Sequence, residues 1–304
     1  MTRQNRQATR HGYVVIDKPA GWTSHDVVAR VRRIVDEKRV GHAGTLDPAA
    51  TGVLPVAVGQ ATRTVEYLAD SSKSYRAWIQ FGVTTNSADG DGAIVATSDP
   101  SELSLAMIDQ VLPRFRGHIA QRPPMHSAIK VGGKRLYEFA RLGVEIDVAD
   151  REVTIYDLQV VEWLAPELCI DVDCAKGTYI RALARDIGDA VETGAHLARL
   201  VRTRTGPFTL ADAMSLEDLE RALKHRGWEQ IAFPPDKVLE DRSAVVLGSS
   251  QSIDWGHGKS IVLEVAEGIT AIVRAYDAHG RWLGVGSMDV STSTLRPVKV
   301  IAAE

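Results

Sequence analysis

The segment Gly41-His42-Ala43-Gly44-Thr45-Leu46-Asp47-Pro48-Ala49-Ala50-Thr51-Gly52 restricts the chain more than any other. Three glycines and a proline in twelve residues fix an irregular backbone that a substrate can approach closely. Proline after Asp47 disfavours the helical region at Asp47 and holds it extended or in a turn. One carboxylate therefore sits at the centre of a rigid loop, with the His42 imidazole five residues earlier. Asp-Pro is also an ordinary turn dipeptide, so the loop alone leaves both a chemical and a purely structural reading open.

The flanks alternate strand and helix patterns. Tyr13–Asp17 reads as a strand closed by the turn Lys18–Gly21, and Thr23 or Ser24 caps a helix burying Val27, Val28, Val31, Ile34 and Val35. Ser74–Gly82 is a predicted strand. Asp99 or Ser101 caps a helix running to Leu112, and Leu136–Leu142 is a short helix. Glu152–Trp163 and Leu168–Ala175 are predicted strands, Thr178–Val191 a helix, and Ser215 caps Leu216–His225. Pro234-Pro235 marks Ala232–Asp241 as a linker. Five short strand-like runs follow at about ten-residue spacing, the pattern of a small β-barrel. The expected organisation is a basic disordered tail (1–12), an α+β body (13–235) and a compact all-β domain (242–304).

At 304 residues, 44% apolar and 25% charged, the chain can bury a core without staples. Its two cysteines, Cys169 and Cys174, lie five apart on a predicted strand and so face opposite sides. No apolar run approaches the roughly 18–20 residues that span a bilayer. Met1–Arg10 is no signal peptide, which sets the expectation of a cytoplasmic, membrane-free protein. Dinucleotide, phosphate-loop, zinc and serine-elbow spacings are missing, so no metal or cofactor is expected. Net charge is −3 but unevenly placed. Pro113–Arg141 carries seven basic residues against Glu138 alone; Arg199, Arg202 and Arg204 add a second cluster, and Asn86–Gln110 is purely acidic. Basic segments in a mildly acidic chain fit either one polyanion-binding face or solvated surface.

The whole loop resembles the active-site loop of the TruB family of tRNA pseudouridine synthases, Gly-His-x-Gly-Thr-Leu-Asp-Pro-x-Ala-Thr-Gly. Further segments follow in the family's order: Val14–Ser24 (VVIDKPAGWTS), Ser74-Tyr75-Arg76, Gln121–Arg141 (QRPPMHSAIKVGGKRLYEFAR), Lys176–Arg181 (KGTYIR), Gly194-Ala195-His196 and Leu200. Ala49 stands where many members have leucine, and the C-terminal domain is short. The resemblance implies a mixed, largely antiparallel sheet with flanking helices and a PUA-like C-terminal domain. It implies isomerisation of uridine to pseudouridine at position 55 of the tRNA T-loop, on a flipped-out base. Asp47 would be the nucleophile, Arg181 its ion-pair partner, and Tyr75 a stacking residue that assists proton removal from C5. Tyr179 and Leu200 would line the base pocket, and His42 would fill the space the base vacates. Lys18 and Pro19 would support the loop. Residues 113–150, with Lys130, Lys134 and Arg135, would form an RNA-clasping insertion, and Arg199, Arg202 and Arg204 would extend its track. The partner would be the tRNA T-stem-loop, with no protein required. The alternative is a non-catalytic RNA-binding or tRNA-folding chaperone.

Overall fold

The computed structural model describes residues 10–125, 127, 129–141, 144, 146–264 and 268–301. In chain order the elements of the first half are β1 (Gly12–Lys18), α1 (Ser24–Val35), β2 (Val40–His42), β3 (Thr51–Val58), α2 (Val65–Ala69), β4 (Lys73–Phe81), β5 (Val83–Thr85), β6 (Ile94–Thr97), α3 (Leu105–Val111) and β7 (Gly117–Gln121). The short pair β8 (Lys130–Val131) and β9 (Lys134–Arg135) leads into α4 (Leu136–Arg141). Then come β10 (Arg151–Leu164), β11 (Glu167–Cys174), α5 (Ile180–Ala190), β12 (Ala195–Thr205), β13 (Phe208–Thr209) and α6 (Leu216–His225). The C-terminal part holds β14 (Ala244–Leu247), α7 (Ser249–Gly256), β15 (Ile261–Val262), β16 (Ile272–Asp277), β17 (Trp282–Asp289) and β18 (Thr294–Val300).

The fold is α+β. One mixed sheet runs β1-β3-β12-β4-β11-β10-β7, with β2 added on β3 and β13 on β12. Its neighbours are antiparallel except β3 and β12, which run parallel with Arg202 opposite Gly52. Strands β1 and β3 are apolar on both faces because both faces are covered. Val14, Ile16, Leu54 and Val56 meet α1 and α6 on one side. Tyr13, Val15, Val53 and Ala57 meet Phe208 and the C-terminal Val285 on the other. Strand β4 alternates instead: Ala77, Ile79 and Phe81 pack under α5 through Leu183, Ala184 and Ile187, whereas Arg76, Trp78 and Gln80 face away. Helix α1 starts where Thr23 and Asp26 form a reciprocal capping box.

Several expectations shift. Ser104, not Asp99 or Ser101, caps α3, since its hydroxyl reaches the Met107 N–H. The first nine residues of the expected insertion belong to the body: Gly117–Gln121 pairs with β10, and Arg116 donates to the Leu158 carbonyl. The excursion is thus confined to about residues 122–150. Of the expected tail, residues 1–9 lie outside the described residues, but His11 accepts from the Gln60 N–H and Gly12 already pairs with Val58. The expected linker is packed down. Phe233 bridges Tyr13, and Val238 and Leu239 are buried in the core that Val285 shares. Beyond it the five expected strands form one sheet, β14-β16-β17-β18-β15, around Leu247, Val273 and Leu295. An unforeseen helix, α7, closes this core with Trp255, whose indole N–H donates to the Leu283 carbonyl.

Candidate active site

A pocket of about 610 Å³ opens where the loop between β2 and β3 meets the ends of β4, β12 and α5. The loop is held from both sides of Asp47. The Ser24 hydroxyl donates to the Leu46 carbonyl and accepts from its N–H (3.2 and 2.9 Å). The Pro48 carbonyl accepts from the Gly21 N–H and from Lys18 Nζ. Lys18 is fully buried and also donates to the carbonyls of Pro19 and Trp22. Burial lowers its pKa to about 8, against the opposing pull of Asp47. The Lys-Pro turn of β1 therefore braces the loop, in line with its expected supporting role.

Arg181, in the first turn of α5, reaches into the pocket with only 7% of its side chain exposed. Its Nε lies 3.0 Å from Asp47 Oδ2 and its Nη2 3.5 Å from Oδ1, a two-pronged approach to one carboxylate. Its Nη1 meets Asp89 Oδ2 and the Ser87 carbonyl, both at 3.3 Å. Burial raises the Asp47 pKa and Arg181 works against it; Asp89 adds a like charge that raises it further. Tyr75, Tyr179 and Leu200 line the same pocket. Gln121 locks Tyr179 in place, accepting from its N–H (2.8 Å) and donating to its carbonyl (3.1 Å). Burial raises the Tyr75 pKa, and Arg202 opposes the rise.

His42 stands a step back: its ring meets His25 edge-on at 5.3 Å, and His25 lines the pocket. Burial lowers the His42 pKa, with His25 and Arg202 acting in the same direction. The excursion touches the pocket through the buried Ser127. Lys134 is exposed outside it, 6.0 Å from the Phe139 ring centroid, and Lys130 and Arg135 are described by their backbone pairing alone.

The expected track through Arg199, Arg202 and Arg204 is not a surface stripe. Arg202 is 1% exposed and donates to the carbonyls of Val53, Thr45 and Gly44 (2.8, 3.4 and 3.2 Å). Arg204 is paired with Asp173, and Arg199 lies over the Trp78 ring at 3.5 Å. Two functional candidates escape the sequence pattern. Asp89 lies in an acidic run that reads as solvated loop, and Arg202 lies in a basic run that reads as surface.

Family matches run along the chain in order. The TruB family pseudouridylate synthase N-terminal domain matches residues 32–180. The tRNA pseudouridylate synthase B C-terminal domain matches 181–240, and the pseudouridine synthase II TruB C-terminal region 243–301. The tRNA pseudouridine synthase B of Trichormus variabilis is 44% identical over 95% of this chain and 98% of its own. That of Symbiobacterium thermophilum is 49% identical over 84% and 85%. Among solved structures, an H/ACA RNP bound to a substrate RNA containing 2'-deoxyuridine superposes with a TM-score of 0.75 at 26% identity, covering 96% of this chain and 85% of that one. An archaeal box H/ACA Nop10–Cbf5 complex gives 0.72 at 27%, covering 97% and 86%. The fold is that of a pseudouridine synthase. The chain belongs to the TruB family.

Proposed function

We propose that this protein converts uridine to pseudouridine in the T-loop of tRNA, at position 55, with Asp47 as nucleophile. The observation that carries the reading is the Arg181–Asp47 pair at 3.0 Å in the pocket that Tyr75 also lines. A guanidinium keeps its charge and favours the ionised carboxylate that a nucleophile needs. That ionised group can form or stabilise a covalent sugar intermediate once the glycosidic bond breaks. Tyr75 stacks on the freed uracil and assists loss of the C5 proton. Tyr179 and Leu200 shape the walls, and His42 fills the gap in the RNA. The reaction is redox-neutral and transfers nothing to a second molecule.

The target base is stacked in folded RNA and must be extruded, at a cost of a few kcal/mol. Contacts of the 122–150 excursion, Lys130, Lys134 and Arg135 among them, offset that cost. We assign catalysis to residues 13–235 and RNA contact to the PUA-like residues 242–304. No helix among the described residues is long and apolar enough to cross a membrane. We place the activity in the cytoplasm, acting without a protein partner. A bound-but-inert chaperone role has no use for an ion pair aimed into an open pocket. The test is to incubate the protein alone with unmodified tRNA transcript and map pseudouridine by carbodiimide-blocked primer extension. Wild type is expected to mark one T-loop position, and Asp47→Asn to bind tRNA and mark none. An Asp47→Asn protein retaining more than about a hundredth of the wild-type rate removes Asp47 from the nucleophile's role.

A further inference from the structure

Where the turn after α2 meets the turn before α5, the pocket wall is made by Ala69, Lys73, Lys176, Gly177 and Thr178. Lys73 is 6% exposed, and its Nζ donates to the Ala69 and Ser71 carbonyls, both at 2.6 Å. An ammonium has three N–H donors, so one is left over. Among the described residues no carboxylate pairs with Lys73, and the neighbouring Asp70 is taken by Lys176 at 2.8 Å. A Cβ on Gly44 would lie 3.8 Å from Lys73 Cε and 3.7 Å from Arg202 Nη1, so Lys73 stands against the Asp47 loop beside a second buried cation. The wall thus holds two lysines and an arginine against one aspartate, and a buried charge without a counter-ion is expensive. Gly177 has a φ of +85° and open space where a Cβ would project, so another chain can pass close over this turn. The buried Ser127 hydroxyl, which lines the same pocket, also lacks a hydrogen-bond partner among the described residues.

We propose that Lys73, with Lys176 beside it, is the subsite for a backbone phosphate flanking the target uridine. The inference rests on the uridine reading above and names the part of the RNA that this wall takes. A nucleotide turned into the pocket brings the phosphates on its 5′ and 3′ sides towards the mouth. A phosphate oxygen accepts the spare Lys73 N–H and supplies the negative charge that the wall lacks. Burial first, and then Arg202, lowers the Lys73 pKa to about 8, and an anion beside the ammonium reverses that shift. The two carbonyl contacts already fix the ammonium, so little ordering is left for binding to impose. Lys176 is exposed and shares its charge with Asp70, which makes it the weaker member of the pair.

The test measures filter-binding affinity for T-arm RNAs with 2′-deoxy sugars at the target uridine and the nucleotide before it. These sugars allow a neutral methylphosphonate to replace the phosphate on either side of the target. Wild type is expected to bind one of the two methylphosphonate RNAs about tenfold more weakly than the all-phosphate RNA, the scale of one charge-assisted hydrogen bond. Lys73→Met should bind the all-phosphate RNA about tenfold more weakly than wild type and lose almost nothing further on that same methylphosphonate RNA. Losses that simply add overturn the proposal, because they place the lysine and the phosphate in separate contacts. A Lys73→Met protein with wild-type affinity overturns it too, as does a wild type indifferent to both methylphosphonates. Lys73 also closes the turn after α2, so circular dichroism checks that the variant is folded. If it is not, Lys176→Met decides by the same comparison, since that side chain is exposed. Wild type that forms no pseudouridine in an ordinary T-arm defeats the isomerisation reading instead, whatever the methylphosphonates show.

Discussion

Arg181 contacts Asp47 through two different nitrogens, so charge and geometry can be separated at that residue. Lysine supplies the charge without the planar fork. Arg181→Lys is expected to lower the single-turnover rate at least about tenfold, or roughly 1.4 kcal/mol of transition-state stabilisation. Filter-binding affinity for tRNA should change far less, and a wild-type rate in the lysine variant refutes an orienting role. The raised pKa of Asp47, set first by burial, has a second consequence. Between the unfolded and folded values the native state holds a proton that the unfolded chain has lost. Stability contributed by this group therefore falls as pH rises through that window. With Asp47 as the proposed nucleophile the active form is the carboxylate, so the rate should rise with pH over the same window, with a midpoint above about 4, the ordinary carboxylate value. Asp47→Asn is expected to make no pseudouridine and yet melt at neutral pH no lower than wild type. Calorimetry on the two proteins checks this, and a clearly lower melting temperature for the variant contradicts it. Asp47, Tyr75 and Arg181 are legible in the sequence because each sits in an ordered motif with its own spacing. Asp89 and Arg202 are not, because charge runs look alike whether solvated or folded inward. For Arg202, only the register of β12 against β3 and β4 makes the distinction.

At the scale of elements, the parallel contact between β3 and β12 is what delivers Arg202 to the loop. Gly52 makes that contact possible. Its φ is +100°, and a Cβ there would lie 2.2 Å from the Arg202 carbonyl oxygen. Gly52→Ala combines a disfavoured backbone with a backbone clash, and is expected to destabilise by about 2 kcal/mol or more. Urea unfolding checks it, with pseudouridine formation falling in parallel because the loop's exit moves. Periodicity identifies most elements, since strands β1, β4 and β11 and helices α1 and α5 each bury a face that the sequence marks. It fails where tertiary pairing overrides local composition. The basic Pro113–Arg141 stretch reads as one surface segment, yet β10 recruits Gly117–Gln121 into the sheet, so the excursion begins only at Arg122. Helix α7 is hidden because its Ser-rich sequence carries little apolar pattern.

Across the whole molecule, the net charge of −3 hides a segregation of signs. If the excursion clasps RNA, affinity should fall steeply with salt. Alanine at Lys130, Lys134 and Arg135 together should flatten the log–log slope by roughly 0.7–0.9 for each phosphate left unneutralised. Filter binding across a salt series measures this, and an unchanged slope returns these residues to solvated surface. The C-terminal sheet is also part of the body's core rather than an appendage. Val285, Trp282 and Ile272 pack with Val238, Leu239 and Phe208, and Lys299 pairs with Glu66. Removing residues 242–304 is therefore expected to lower the body's melting temperature as well as weaken tRNA binding. A truncated body that melts like the intact protein contradicts that shared core. The Pro-Pro stretch marks a boundary in the sequence, but composition does not reveal that Val238 and Leu239 just beyond it are buried.

The pocket draws on residues that the ribosome delivers far apart. Asp47 and Arg181 are separated by 134 positions, and Arg202 lies 158 positions beyond Gly44. Until β12 has left the exit tunnel, a nascent chain has its loop without the guanidinium beneath it and its carboxylate without its counter-ion. Local elements such as α1 and the β1–β3 pair can form early, whereas the pocket closes only with the last long-range strand pairing, the slow class of contact. The enzyme is thus chemically silent for the first two-thirds of its own synthesis. A fragment released early by a stalled ribosome holds no assembled pocket.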